Sequence, residues 1–302
     1  MMKRREFIQK SALATLAAGA YTLPLMSFTT SRTKHITILH TNDTHSHIDP
    51  FDSSHSKYPN QGGIARRATL VEQIRKENPN TLLLDAGDIF QGTPYFNYYG
   101  GELELKLMSM MKYDASTLGN HEFDNGLEGF LAPLPNANFD FINSNYAFSN
   151  TILDGYIKKY KILNVDGLKI GIFGLGVQLE GLVSKVNYNE TVYLDPIEIA
   201  QDMARLLKHE KKCDMVICLS HLGYQYNTNQ VSDVVLAGHT RDIDLIIGGH
   251  THTFLNKPTV IKNIDQKDVI INQVGCFGIN LGRIDFYFET DKTNTQSRII
   301  EI

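Results

Sequence analysis

Short phrases rich in His, Asp and Asn recur along the 302-residue chain, each close behind an apolar run. The densest is Gly119-Asn120-His121-Glu122-Phe123-Asp124, which follows Ala115 to Leu118. Asn120 offers a neutral amide oxygen, His121 an imidazole that titrates near neutrality, and Asp124 a carboxylate close enough to fix its tautomer. One loop can therefore supply both a metal ligand and an acid. Four more phrases have the same character: Asp43 with His45, Asp88, His221, and His250 with His252. Singly, each reads as a cap, a turn carboxylate or a packing histidine. Five in succession point to convergence. Imidazoles, carboxylates and one amide outnumber the ligands of a single tetrahedral ion and suit two ions sharing a carboxylate. Ligation by nitrogen and oxygen without thiolate favours Mn, Fe, Co or Zn over calcium.

The elements that must position these groups are legible around them. His35 to His40 reads as a buried strand that delivers Asp43 and His45, and Thr81 to Leu84 as one that delivers Asp88. Between them Ile64, Ala68, Val71 and Ile74 recur at helical spacing, with Arg67, Glu72 and Lys76 expected on the outer face. Leu103, Leu107, Met108 and Met111 predict a second helix before the Asn120 loop, and Phe139 to Ile142 a further strand. Tyr156 to Leu163, Asp166-Gly167 and Leu168 to Leu175 read as a hairpin. Asp195-Pro196-Ile197-Glu198 carries a capping-box-like start for a helix through Lys212, with Ile199, Met203 and Leu206 inward. Asp214 to Leu219 delivers His221, and Asp244 to Ile247 delivers His250 and His252 after the tight-turning Gly248-Gly249. Val269 to Val274 and Leu281 to Phe288 alternate like antiparallel strands, and residues 291–302 read as a polar tail. The pattern predicts one α/β domain of two stacked mixed sheets flanked by helices.

With 42% hydrophobic residues the chain can bury one large core. Residues 1–10 carry four basic side chains and one acidic, so the rest of the chain bears −7 against −4 for the whole. An acidic body argues against binding a nucleic-acid polymer. Anionic substrates must then be attracted locally, as by metal ions. Residues 1–27 read as an export signal, with a basic start, the Ala-rich Ser11 to Ala20, and small residues at Ala18-Gly19-Ala20. Arg4-Arg5-Glu6-Phe7 fits the twin-arginine type, a general secretory signal with two arginines being the plainer alternative. The apolar stretch is short of the roughly 20 residues of a span, so membrane contact is expected only through this segment, if it is uncleaved. Cys213, Cys218 and Cys276 make no disulfide framework.

Taken together, Asp43-x-His45, Gly87-Asp88, Gly119-Asn120-His121-Glu122, Ser220-His221 and Gly248-Gly249-His250-Thr251-His252 resemble the motif series of the calcineurin-like metallophosphoesterases. His40 to His45, Gly87 to Thr93 and Asn120 to Asp124 resemble more narrowly the catalytic domain of bacterial 5'-nucleotidases and UDP-sugar hydrolases, a resemblance running from about Ile36 to Phe288 that implies a catalytic domain over residues 34–290. The resemblance implies a four-layer αββα sandwich and two divalent ions. Asp43, His45 and His252 would hold one ion, Asn120, His221 and His250 the other, and Asp88 both. His121 and Asp124 would be the catalytic dyad. A hydroxide shared by the ions would attack phosphorus in line with the leaving alkoxide, and protonated His121 would stabilise or protonate that alkoxide.

Such nucleotidases normally continue into a nucleoside-gripping second domain, and this sequence stops before one. A separate polypeptide is therefore the expected source of that domain. The implied protein is an exported periplasmic or cell-envelope hydrolase of nucleotides or related phosphate esters. A thiosulfohydrolase on the same scaffold and a metal-binding, non-catalytic subunit of a split nucleotidase are the alternatives. Tyr95, Phe96, Tyr98 and Tyr99 could offer a partial stacking wall or simply pack on a helix.

Overall fold

The apolar runs around Ile38, Leu83, Ile217 and Ile246 form strands buried on both faces, as parallel strands between covering layers must be. The structure is a computed structural model that describes residues 33–289 and 293–302. The expected export signal lies outside the described residues. In chain order the first strands are β1 (Lys34–Thr41), β2 (Thr81–Asp85), β3 (Ala115–Ser116), β4 (Asp140–Phe141), β5 (Tyr146–Ala147), β6 (Tyr160–Val165) and β7 (Leu168–Gly176). They continue as β8 (Val192–Tyr193), β9 (Met215–His221), β10 (Leu245–Gly248), β11 (Thr259–Lys262), β12 (Asp268–Asn272), β13 (Asn280–Phe288) and β14 (Thr293–Glu301).

Two six-stranded sheets result, ordered β14-β13-β1-β2-β3-β4 and β11-β12-β10-β9-β7-β6, with β5 and β8 forming a separate pair. β1 to β4 run parallel, as do β7, β9, β10 and β12, while the outer strands are antiparallel. Alternate side chains sort into layers. Ile36, Ile38, Leu82 and Leu84 meet Ile170, Ile217 and Ile247 between the sheets. Leu39 and Leu83 point the other way, onto Val71 and Ile74 of the helix Ile64–Glu77 and Leu105 and Met108 of the helix Glu102–Met110. Val216, Cys218 and Ile246 face Ala200, Ala204 and Leu236 from the helices Pro196–Arg205 and Asp233–His239. Each such large aliphatic side chain contributes about 1.5–3 kcal/mol by burial. Helix, sheet, sheet and helix thus stack as four layers, and the two mixed sheets match the expected α/β architecture. No helix of the described residues is long and apolar enough to cross a membrane.

Several elements differ from the sequence reading. Residues 293–301 are no tail: β14 pairs with β13 over its full length as an edge strand. Its polar composition suits an edge, where one rim and much of both faces meet water. β12 runs parallel to β10 and antiparallel only to the hairpin partner β11, because alternation records burial and not direction. Arg67 is buried instead of facing out, lying where Gly278 lacks a side chain. Asp195 caps its helix as expected, accepting from the amides of Ile197 and Glu198 at 2.8 and 3.0 Å. The α-helix nevertheless ends at Arg205 and widens into a π turn over Leu206–Glu210; Ile199 and Met203 pack inward as expected, beside the buried Pro196, Ala200 and Ala204. Between the sheets His40 is fully buried, with Nε2 2.9 Å from Nδ2 of Asn272, and burial pushes its pKa down to about 3.

Candidate metal centre

Every parallel strand that the sequence made a carrier ends at the same rim of the sandwich, outside the carboxyl ends of β1, β2, β3, β9 and β10. Two triads form there. Asp43, His45 and His252 bring one ligand atom each to within 4.8 Å of one another, and Asp88, His221 and His250 do the same. Asp88 also groups with His45 and His121, so it stands between the two triads. Asn120 follows Gly119, where a Cβ would overlap Asp88 Oδ1, and the amide oxygen of Asn120 is buried with no protein partner. Gly249 is equally confined, since a Cβ there would lie 2.8 Å from His221 Nδ1 and 2.9 Å from the Ala86 carbonyl.

The hydrogen bonds of the histidines fix where their lone pairs point. His221 is fully buried, and its Nδ1 lies 2.6 Å from the carbonyl of Ala86. A carbonyl only accepts, so Nδ1 carries a proton and Nε2 is the atom turned towards Asp88 Oδ2, 3.0 Å away, where it can share a proton with the carboxylate or give its lone pair to an ion. His45 repeats the arrangement, with Nδ1 3.2 Å from the Phe90 carbonyl and Nε2 3.0 Å from His252 Nε2 and 3.9 Å from Asp88 Oδ2. Nitrogens and carboxylate oxygens brought this close must share either protons or metal ions. Two imidazole nitrogens at about 2.0–2.1 Å from one ion lie about 3 Å apart when adjacent, the spacing of His45 and His252. The donor set therefore fits divalent ions.

Without an ion the same crowding appears as displaced pKa values. Burial opposes charge on His221, yet Asp88 and then Asp43 outweigh it and raise its pKa to about 10, while Asp88 is held far below the usual carboxylate range. His250 is driven down to about 4 by burial and by its neighbour His221. His252 resists burial through Asp43 and the thiol of Cys276 and rises to about 10. Cys276, for which the sequence offered no role, is thus placed beside a candidate ligand; all three cysteines are buried and free.

His121 and Asp124 join through Nδ1 and Oδ2 at 2.8 Å, both about one-third exposed. The backbone amide of His121 donates to Asp88 Oδ1 at 2.8 Å. Burial works against protonation of His121, but Asp124 and Asp88 prevail and hold its pKa above the ordinary imidazole value. His47 joins neither triad; its Nδ1 bonds the His45 carbonyl at 2.9 Å.

Two acids that the sequence reading left without a role organise the loops. Glu122 is buried and accepts from the amides of Gly119, Asp88 and Ile89 at 2.6, 3.0 and 2.8 Å, tying the Asp88 loop to the Asn120 loop. Burial and the nearby Asp88 raise its pKa to about 7. Asp233 lies buried against Gly248 and accepts from Ser220, and burial raises its pKa to about 8. Five of the seven candidate ligands, Asp43, His45, Asp88, His250 and His252, hold left-handed backbone with φ of 47–72°. Non-glycine residues in such regions cost of order 1 kcal/mol each and concentrate at functional sites.

Residues 36–254 match the model of the calcineurin-like phosphoesterase family. A snake venom 5'-nucleotidase from Crotalus adamanteus is 36% identical over 284 residues, covering 86% of this chain but 46% of that enzyme. The crystal structure of a 5'-nucleotidase precursor from Thermus thermophilus superposes with a TM-score of 0.81 at 33% identity, over 89% of this chain and 55% of the other. The sulfate thiohydrolase SoxB from Thermus thermophilus shares the fold at a TM-score of 0.72 and 16% identity, over 88% of this chain and 56% of that one. The chain spans about half the length of these proteins. By the span of the family match and the geometry at the strand ends, the chain belongs to the calcineurin-like phosphoesterase family.

Proposed function

We propose that this chain is an exported hydrolase of nucleotides or related phosphate esters that works with two divalent ions, Mn, Zn, Co or Fe. The observation that carries the reading is the convergence of imidazole nitrogens and carboxylate oxygens in two triads that meet at Asp88. Asp43, His45 and His252 would hold one ion and Asn120, His221 and His250 the other, with Asp88 shared. When bound, the ions supply Lewis acidity and neutralise charge on the phosphoryl oxygens.

The chain's own residues do the rest. His121, whose protonated form is favoured by its pairing with Asp124, stabilises charge on the leaving oxygen or gives it a proton from Nε2. Asp124 keeps the ring oriented, and the His121 amide, bonded to Asp88, sets the dyad against the centre. The 5'-nucleotidase relatives support nucleotides as substrates. A partner polypeptide carrying a nucleoside-gripping domain belongs to this reading, as does release to the periplasm or cell envelope.

Phosphate release from AMP and p-nitrophenyl phosphate, with Mn, Co or Zn added and after EDTA, tests the chemistry. Metal-dependent release is expected. Turnover that persists after complete chelation, or no release from any ester with any ion, overturns it. Gel filtration after co-expression with neighbouring genes tests the partner; a chain that stays alone and is fully active on nucleotides refutes that part.

A further inference from the structure

A strip of aromatic rings borders the centre and is used by none of the roles above. Phe277 lies 6.0 Å from His45, 5.8 Å from His252 and 4.4 Å from His47 between ring centroids. Phe51 and Tyr58, from the loop between β1 and the helix Ile64–Glu77, pack against it at 5.9 and 6.4 Å. Phe254, two residues beyond His252, lies over Tyr58 at 6.2 Å with the ring planes 24° apart. The rings therefore form a continuous chain of contacts that begins at the candidate ligands. Phe254 is 41% exposed, and Phe51, Tyr58 and Phe277 are half-buried.

The strip is held in place by the backbone that builds the site. Phe277 has left-handed backbone with φ of 62°, and its amide donates to the Asp43 carbonyl at 2.7 Å, so one segment carries the ring and buttresses a candidate ligand. Phe254 lies flat on Gly275, where a Cβ would overlap the ring. The Lys57 ammonium stands 4.9 Å over Tyr58 and gives the rim a positive charge. Of the other aromatic group, Phe96 is buried on Phe90 at 5.3 Å and Tyr95 bonds Asp49, while Tyr98 and Tyr99 are exposed outside the strip.

We propose that Phe51, Tyr58, Phe254 and Phe277 form a leaving-group subsite for a flat aromatic group, a nucleobase or an aryl ring, carried by an ester whose phosphate sits at the centre. This rests on the phosphoesterase reading above. The open side of Phe254 and the outer edges of its neighbours offer apolar ring surface on which a planar leaving group can stack, and every base presents a π face to them. The subsite lies on the catalytic chain itself, so a preference for aromatic esters needs no second domain.

The test compares kcat/KM for AMP and for ribose 5-phosphate, which has the same phosphate and sugar without the base. In Phe254→Ala and Tyr58→Ala the ratio is expected to fall about tenfold, through KM, as base stacking on aromatic side chains implies. Tyr98→Ala, an exposed ring outside the strip, should leave the ratio unchanged. A ratio that stays within about twofold in the double variant overturns the subsite. A second readout needs no turnover: saturation-transfer NMR of adenosine should show contact through the base in the native chain and lose it in the double variant. Base contact that survives both substitutions, or is absent from the native chain, also overturns it. Failure of the phosphoesterase reading would show as no phosphate from either ester while adenosine still binds.

Discussion

Replacing His40 with Gln should remove a pH dependence that burial of a neutral imidazole builds into the fold. His40 is fully enclosed between the sheets, bonded through Nε2 to Asn272 and lying on Gly282, where a Cβ would overlap the ring. Burial lowers its pKa to about 3, whereas an imidazole in the unfolded chain titrates near 6.5. Below pH 6.5 the unfolded chain therefore binds a proton that the folded one refuses. The stability tied to His40 is complete above 6.5 and is lost as pH falls towards 3. Between pH 7 and pH 5 the loss for this one group is about 2 kcal/mol. Buried carboxyls such as Asp233, raised to about 8, and Asp85, raised to about 6, act in the opposite direction and are common to both proteins. Urea unfolding at the two pH values measures the effect: the native chain should lose about 2 kcal/mol more than His40→Gln. Equal losses would show that the imidazole is already charged in the fold, or hydrated, and refute the reasoning.

Two further outcomes bear on the centre. His121→Ala should lower kcat about 10²–10⁴-fold while two ions per chain remain by elemental analysis; loss of the ions would make His121 a ligand and not an acid. Gly119→Ala places a methyl group against Asp88 Oδ1 and 2.7 Å from His221 Cε1, so metal content should drop and stability fall by about 1–3 kcal/mol. Full metal content at native stability would mean that the two loops are not in contact.

The sequence disclosed the carrier strands because each is buried on both faces and ends abruptly in polar ligand types, so apolar run and chemistry share a boundary at Thr41, Asp85 and Gly248. It disclosed the triads because ligand chemistry demands particular side chains. Direction and pairing were less legible. β12 alternates alike whether parallel or antiparallel, and β14 carries the composition of a loop because an edge strand is solvated like one. Arg67 has the look of an outer-face residue, and only the bare backbone of Gly278, more than two hundred residues later, makes room for it inside. Glu122 was visible as part of a motif, but its task depends on three amides, two of them brought from another loop by the fold. The aromatic strip is assembled from three distant stretches and has no local signature at all.

The location of the triads across the seam between the sheets has a mechanical consequence. Asp43, His45 and Asp88 hang from one slab of the sandwich, His221, His250 and His252 from the other, and each triad draws on both. An ion seated in either acts as a rivet through the two slabs. Peeling them apart then requires surrendering the ion, so loading converts neighbours that could loosen separately into one cooperative body, by an amount set through mass action by ion concentration and affinity.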